Sequence, residues 1–172
     1  MWIDSHCHLD APEFDADRDR VIAEARSAGV EAQILPAIRA ANWPHLKVLC
    51  DGHPDLFPAY GLHPMFLADH RPEHLPQLRQ WVERERPVAV GECGLDFFVD
   101  GLDPETQRDF LRGQLDLAAE FDLPVILHAR RAVDALLVEL RRYGGRLRGV
   151  VHSYSGSEEQ AQQLFKLGFC LG

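Results

Sequence analysis

The sequence VAVGECGLD at residues 88–96 decides the fold class of this chain. It opens with Val88–Gly91, an apolar run without the alternation of an exposed sheet face, which is typical of a strand buried on both faces. Glu92 and Asp96 follow that run, so carboxylates come after the predicted strand. The glycines around Glu92 and Cys93 indicate that another backbone approaches closely there. A buried strand followed by polar residues is typical of α/β proteins, whose sites lie at the carboxyl edge of a parallel sheet.

Six further apolar runs of the same kind are spread along the chain. They are Trp2–Asp4, Ala32–Pro36, Leu56–Tyr60, Pro124–Leu127, Gly149–Val151 and Gly168–Leu171. Between the runs, apolar residues recur with helical spacing. An N-cap followed by proline at 103–104 and a capping box at 157–160 mark two helix starts. Seven strands alternating with six helices predict parallel βα units, in either a doubly wound sheet or a barrel.

The length and composition fit one globular domain. The chain has 172 residues, 46% hydrophobic and 26% charged, which excludes a disordered, collagen-like or coiled-coil protein. No apolar run approaches the roughly 20 residues that cross a bilayer, and the opening MWIDSHCH has no signal-peptide pattern. The four cysteines form no CxxC pair, and we expect Cys7 and Cys93 to be small buried apolar residues. These features predict a cytoplasmic protein with no membrane partner and no obligate protein partner.

The charge balance restricts how a polyanion could bind. The formal net charge is −9, the wrong sign for a broad nucleic-acid surface. A phosphate would therefore have to be bound by metal ions or by a local basic patch. Arg130 and Arg131, which follow the fifth predicted strand, are the candidates for such a patch, and we assign Arg130 as a substrate-binding residue.

Five of the nine histidines stand at the carboxyl ends of four predicted strands. They are His6, His8, His63, His128 and His152. The first two form an HxH pattern, and residues i and i+2 of a strand face the same side, so both imidazoles can reach one metal. A carboxylate at Glu92 could bridge two divalent ions. Because a barrel gathers the ends of all its strands into one mouth, this distribution favours a barrel over a doubly wound sheet. The other four histidines, His45, His53, His70 and His74, are predicted to be surface residues.

Five motifs together resemble those of the TatD-type metal-dependent deoxyribonucleases, members of the metal-dependent hydrolase superfamily. The motifs are HCH at 6–8, GLHP at 61–64, GECGLD at 91–96, LHARR at 127–131 and VHSYSG at 151–156. The resemblance covers the whole chain in the right order. It implies an α/β fold of the TIM (β/α)8-barrel type. It also implies a divalent-metal-dependent hydrolase that cleaves phosphodiester bonds of DNA, acting on single strands.

The resemblance implies a role for each polar residue. The implied metal ligands are His6 and His8 on one ion, Glu92 as the bridge, and His128 and His152 on a second ion. It implies that His63 contacts the scissile phosphate or helps to move a proton, so His63 and Glu92 are the catalytic candidates. Asp96 would orient a neighbouring ligand. The resulting hypothesis is a two-metal mechanism in which a metal-bound water attacks phosphorus. Zinc, manganese, nickel and magnesium all suit these ligands.

The chain departs from the family pattern in its length. Members of the family continue into an eighth strand that carries an aspartate ligand, and a complete barrel usually needs about 250 residues. We therefore expect residues 1–172 to form a single hydrolase barrel domain that is truncated after the seventh strand and lacks the eighth strand and the last helices.

Two alternatives to a deoxyribonuclease stay open at this point. One is another metallohydrolase on the same barrel, acting on a carboxylic ester or an aminoacyl-tRNA. The subclass that uses a carbamylated lysine is excluded, because Lys47 and Lys166, the two lysines of the chain, are both on predicted helices. The other alternative is a metal-binding fragment without catalytic activity, because the last ligand of the family is missing.

Overall fold

Seven parallel strands, hydrogen-bonded in sequence order, form the frame of the computed structural model, which describes residues 2–172. The strands are β1 (Trp2–Asp4), β2 (Val30–Pro36), β3 (Leu56–Tyr60), β4 (Ala89–Asp96), β5 (Val125–Arg130), β6 (Gly149–Val151) and β7 (Phe169–Leu171). The helices are α1 (Arg18–Ser27), α2 (Trp43–Asp51), α3 (His74–Glu85), α4 (Pro104–Glu120), α5 (Val133–Arg141) and α6 (Glu158–Lys166). The predicted alternation of strands and helices is confirmed.

The sheet is strongly curled. His6 follows β1 and His152 follows β6, yet their rings stack with centroids 3.8 Å apart. In a flat sheet, five strand spacings would separate these positions by about 24 Å. The strands therefore form the curved wall of a TIM-type barrel, and the predicted barrel class is confirmed. Within the described residues, β1 and β7 are the two edges of this wall.

Apolar side chains pack on both sides of the curled sheet. On the outer face, one cluster joins Leu127 of β5 to Leu111 and Leu136 of α4 and α5. A second outer cluster forms around the first strands and α2 and α3. The inner face is lined by smaller residues, among them Ala59 and Ala89. Each fully buried leucine contributes about 2 kcal/mol to the stability of the fold through the apolar area it removes from water. The packing of the outer helices therefore stabilises the curved sheet.

The helix starts that the sequence predicts are present. The side chain of Asp103 accepts a hydrogen bond from the backbone N–H of Thr106 at 2.7 Å, directly before α4. Ser157 and Gln160 form the predicted capping box of α6. These contacts use short polar side chains to satisfy backbone N–H groups that the helices leave free, which is why local sequence was enough to find them.

Two strands extend beyond their predicted carboxyl ends. β4 continues through Glu92 to Asp96, and β5 continues through His128 to Arg130. The polar and glycine residues there indicate a strand end locally, but the register pairs residues 93–96 directly with residues 127–130. Long-range pairing therefore extends both strands, and Glu92 and His128 lie within strands rather than after them.

No helix within residues 2–172 is long and apolar enough to cross a membrane.

Candidate metal centre

The carboxylate of Glu92 is the centre of a cluster of five histidines. Its side chain is 2% exposed. The contacts of Oε1 are the Nε2 of His152 at 2.5 Å, the Nε2 of His63 at 3.0 Å and the Nδ1 of His128 at 3.4 Å. The contacts of Oε2 are the Nε2 of His6 at 3.2 Å and the Nε2 of His8 at 3.4 Å. The structure therefore brings together all five histidines that the sequence placed at strand ends.

The HxH pair presents two nitrogens to one point. The Nε2 atoms of His6 and His8 are 3.1 Å apart, and both face the carboxylate of Glu92. The three side chains form one of two groups whose donor atoms all lie within 4.8 Å of one another. The Nδ1 of His6 is buried and has no hydrogen-bond partner among residues 2–172, so none of these residues fixes the tautomer from that side. Donor atoms that converge in this way fit a divalent ion such as zinc.

The second group consists of His63, Glu92 and His128. It differs from the set implied by family resemblance, in which His152 joins His128 and His63 acts on the substrate. Here His63 lies as close to Glu92 as the other ligand candidates, while His152 bonds to the same Oε1 and stacks on His6. His63 is thus placed as either a ligand or a phosphate contact.

Hydrogen bonding from several imidazoles sets the ionisation of Glu92. Burial alone would raise the pKa of this carboxyl. The hydrogen bonds from the histidines, with His128 and His152 the largest contributors, outweigh burial and hold the pKa of Glu92 far below its usual range. Burial lowers the pKa of His63, against the opposing effect of Glu92. The hydrogen bond to Glu92 raises the pKa of His8. Burial would lower the pKa of His128, but contacts with Glu92 and Asp96 outweigh burial and raise it. A divalent ion would take the place of protons on these ring nitrogens.

Asp96 fixes the ring of His128. Its Oδ2 lies 2.8 Å from the Nε2 of His128, and its Oδ1 accepts hydrogen bonds from the N–H groups of Phe98 and Val99. Burial would raise the pKa of Asp96, but the His128 contact and these backbone donors lower it. Because Asp96 holds a proton on Nε2, the Nδ1 of His128 is the ring nitrogen left for a metal ion beside Glu92. This is the arrangement expected of a histidine that binds a metal.

Two glutamines of α4 hold the loops of the site, and the sequence analysis missed both. The side-chain amide of Gln107 bonds to the N–H and the C=O of Asp96 at 2.7 and 2.9 Å. The amide of Gln114 bonds in the same way to Leu62, at 2.7 and 3.2 Å, directly before His63. Both glutamines are buried. Polar residues seven apart on the apolar face of α4 were the signal that could have found them, because a buried amide requires partners.

The glycines of the GECGLD segment permit close backbone contact, as predicted. A Cβ on Gly94 would lie 2.0 Å from the carbonyl oxygen of His128. A Cβ on Gly91 would lie 2.7 Å from the carbonyl oxygen of Ile126, and one on Gly61 would lie 2.5 Å from the carbonyl carbon of Gly91. Side chains at these positions would push the third, fourth and fifth strands apart, and the ligands would separate with them.

His70 corrects the prediction that four histidines lie on the surface. It is buried, and its Nε2 lies 2.8 Å from the carbonyl oxygen of His63. Its ring packs against Phe110 of α4. Burial lowers the pKa of His70. The sequence shows His70 in a polar loop, and only the packing of that loop onto α4 brings it beneath the site.

Several other predicted residues lie where the sequence analysis expected them. Cys93 is fully buried in the outer cluster, and burial raises the pKa of the half-buried Cys7 to about 12, so both behave as apolar residues. Lys47 is on α2, paired with Asp51, and Lys166 ends α6. Both lysines therefore lie on helices, as predicted.

A cavity of about 480 Å³ opens on the cluster, and its walls include His8, His63 and Glu92. This volume is in the range of small-molecule sites. Arg130, assigned to substrate binding from the sequence, is exposed at the end of β5, and its guanidinium lies over the ring of Phe98 rather than against Glu92.

Comparison with known proteins agrees with this fold and site. The model of the family described as TatD related DNase matches residues 3–172. The chain belongs to this family of metal-dependent hydrolases. An Escherichia coli K12 protein described as an uncharacterized metal-dependent hydrolase, YjjV, is 43% identical over 173 residues, covering 99% of this chain and 67% of that protein. The crystal structure of E. coli YjjV superposes with a TM-score of 0.94.

A further relative carries a more specific description. The 3'-5' ssDNA/RNA exonuclease TatD of Erwinia tasmaniensis is 34% identical over 167 residues, covering 96% of this chain and 64% of that protein. The chain spans about two thirds of the length of these relatives.

Proposed function

We propose that this chain is the metal-binding part of a phosphodiesterase that hydrolyses single-stranded nucleic acid, with DNA as the expected substrate. The observation that carries the proposal is the carboxylate of Glu92 with imidazole nitrogens on both of its oxygens. His6 and His8 face one oxygen of this carboxylate and His128 and His152 face the other, which supports a pair of divalent ions. The description of the Erwinia relative supports a nucleic-acid substrate.

The residues divide into three roles in this proposal. His6 and His8 would hold one ion with Glu92, and His128 would hold the second with Glu92. His152 completes the second set. Divalent ions in such a site lower the pKa of water and offset the charge that develops on a phosphate. The acidic surface of the protein makes this local positive charge necessary for a polyanion to approach.

His63 contributes differently, by holding or moving a proton at the mouth. Its Nε2 faces Glu92, while its Nδ1 accepts a hydrogen bond from the N–H of Met65 at 3.1 Å. The ring is therefore protonated on Nε2, the nitrogen directed at the site. A proton at that position can be donated to a phosphate oxygen or a leaving group. Arg130 binds the substrate beside this centre.

The test measures the turnover of three substrates by the chain. Metal is first removed with a chelator, and zinc, manganese, nickel or magnesium is then added back. We expect metal-dependent cleavage of single-stranded DNA, slower cleavage of the duplex and no turnover of a carboxylic ester such as 4-nitrophenyl acetate. Glu92→Ala should abolish the cleavage. Asp103→Asn is the control, because Asp103 is an acidic residue at the N-cap of α4, where asparagine caps equally well.

Three results would contradict this proposal. Ester turnover without phosphodiester cleavage would favour the alternative hydrolase. Stoichiometric metal binding in calorimetry with no turnover of any substrate would favour a metal-binding chain without catalytic activity. Undiminished cleavage by Glu92→Ala would remove the central role of the carboxylate.

A further inference from the structure

Two adjacent arginines at the mouth of the site stack on one exposed aromatic ring. The guanidinium carbon of Arg130 lies 3.7 Å from the ring centroid of Phe98, and that of Arg131 lies 4.6 Å from it. The ring of Phe98 is 43% exposed. Stacking of this kind holds a guanidinium flat and leaves its N–H donors free at the edge. We call these three side chains the Phe98 stack.

The two arginines of the Phe98 stack differ from most arginines of the chain in having no acidic partner among the described residues. Most arginines are paired with a carboxylate, as Arg26 is with Asp55 and Arg112 with Glu139. Within residues 2–172, neither arginine of the stack has a carboxylate within 4.0 Å. In a chain of net charge −9, two adjacent cations without acidic partners form a local exception to the acidic surface. Their free donors are available to an anion from outside.

The backbone ties the stack to the metal centre. The N–H of Phe98 donates to Oδ1 of Asp96 at 2.9 Å, while Oδ2 of the same carboxylate holds His128. Arg130 is two residues beyond His128 on β5, and its carbonyl accepts a hydrogen bond from the N–H of Phe97 at 2.9 Å. The stack is therefore fixed at a set position beside a ligand candidate of the centre, not carried on a free loop.

A cavity of about 450 Å³ adjoins the stack. Its walls include Phe97, Arg131, Asp134, Ser155 and Gln160. The volume is that of a site for a small polar ligand. Asp134, the acidic group on this wall, is engaged by the side-chain amide of Gln160 at 2.7 Å.

We propose that the Phe98 stack and this cavity bind the nucleotide that neighbours the scissile phosphate of a single-stranded nucleic acid. The guanidiniums of Arg130 and Arg131 bind the phosphate of that nucleotide, and the exposed part of the Phe98 ring packs against its base or sugar. Phosphate contact beside an aromatic platform is how single strands are bound without sequence preference. The inference rests on the proposed function, because it adds a second binding site for the same nucleic-acid strand whose scissile phosphate lies at the metal centre.

The first experiment measures binding without catalysis. The chain in excess EDTA is titrated with a fluorescein-labelled oligothymidylate, and fluorescence anisotropy gives the affinity at several salt concentrations. We expect Phe98→Ala to weaken binding roughly tenfold, because the ring contact is lost and the two guanidiniums are no longer held in place. The Arg130→Gln/Arg131→Gln double variant should also reduce the slope of log affinity against log salt by about 0.7, because the two arginines neutralise one phosphate.

Matched variants separate the stack from general effects of charge and apolar area. Phe165 is 58% exposed on α6, and Arg86 follows α3 at the amino edge of the sheet. Phe165→Ala and Arg86→Gln should change the affinity less than twofold and leave the salt slope as in the wild type. Equal losses in these controls and in the stack variants would overturn the proposal. Circular dichroism of every variant checks that it is folded.

The second experiment compares turnover of the oligonucleotide with that of a small diester, bis(4-nitrophenyl) phosphate, with metal present. We expect the stack variants to lower the ratio of kcat/KM for the oligonucleotide to that for the small diester at least tenfold, mainly through KM. The small diester has no neighbouring nucleotide, so only kcat/KM for the oligonucleotide should depend on the Phe98 stack.

The outcomes distinguish this inference from the proposed function. Oligonucleotide binding that depends on Phe98 and the two arginines, without cleavage of any phosphodiester, would support the stack as a binding site and contradict the nuclease proposal. Cleavage by the wild type with unchanged affinity and unchanged ratio in the variants would overturn the stack alone. Absence of oligonucleotide binding by the wild type would also overturn it.

Discussion

The Oδ2 of Asp96 lies 2.8 Å from the Nε2 of His128, and the other oxygen of the same carboxylate holds the backbone of the following loop. One side chain thus fixes both the ring of a metal-ligand candidate and the start of the segment that carries Phe98. The carboxylate accepts at both of its oxygens, so it selects the His128 tautomer whose Nδ1 is free to face Glu92.

Replacement of Asp96 should weaken metal binding through that tautomer. In Asp96→Asn the amide oxygen keeps the backbone contacts, and the amide nitrogen then faces Nε2 as a donor. A donor there favours the proton on Nδ1, which blocks the nitrogen directed at Glu92. We expect the affinity for zinc or manganese, measured by calorimetry, to fall about 10- to 100-fold. Asp103→Asn, at the N-cap of α4, is the matched control, because asparagine caps equally well. Equal affinities in both variants would contradict this role.

Gln107 should be needed for both stability and metal binding. In Gln107→Met, the N–H and C=O of Asp96 lose their buried partner. Each buried unsatisfied group costs about 1–3 kcal/mol, so urea denaturation should show a free energy of unfolding lower by about 3 kcal/mol.

The same variant should bind metal more weakly at temperatures where it is folded, because Asp96 holds His128. Gln33→Met is the control, since Gln33 is also buried and its Nε2 has no partner within the described residues. We expect the free energy of unfolding of Gln33→Met to fall by less than about 1 kcal/mol. A stability loss in Gln107→Met without any change in metal affinity would limit Gln107 to a structural role.

Gly94→Ala should prevent the fourth and fifth strands from pairing. The new Cβ would lie 2.0 Å from the carbonyl oxygen of His128, and neither backbone can move without breaking ladder hydrogen bonds. We expect loss of the cooperative thermal transition. Gly101→Ala tests the cost of backbone conformation alone, because Gly101 also has a positive φ but its Cβ would meet nothing within 4 Å. Gly101→Ala should lower the free energy of unfolding by about 1 kcal/mol. A cooperatively folded Gly94→Ala chain would contradict this prediction, because it would show that the fourth and fifth strands can accommodate the new Cβ.

Glu139 should make stability depend on pH in the acidic range. Its side chain is 3% exposed and accepts two hydrogen bonds from Arg112. Hydrogen bonding to Arg112, the largest cause, lowers the pKa of Glu139 in the folded chain. Its contribution is therefore fully present above the unfolded pKa of about 4.3 and is lost as the pH falls through the lower folded value.

The pH dependence can be measured by denaturation of the wild type and Glu139→Gln. At pH 7 the variant should be less stable by about 3 kcal/mol, the lower end of the range for removing one partner of a buried pair. The difference between the two proteins should narrow as the pH falls below about 4. A constant difference across that range would show that the ion pair is not its source.

Local sequence determined the elements and most of the site's composition. Seven apolar runs, the N-cap at Asp103 and the capping box at Ser157 predicted the strands and helices, because hydrogen bonding and burial within one element depend on neighbouring residues. The HxH motif and Glu92 were predicted to meet in a barrel mouth, since parallel strands bring their carboxyl ends to one edge.

Tertiary structure alone decided how the site is held. The length of β4 depends on its pairing with residues 127–130, which are distant in sequence. The burial of His70 and the contacts of Gln107 and Gln114 arise only where α4 packs under the loops. Sequence patterns report which face of an element is apolar, whereas the partner of a buried polar group is fixed by the curvature of the whole sheet. For that reason the ligand candidates could be predicted, and the residues that orient them could not.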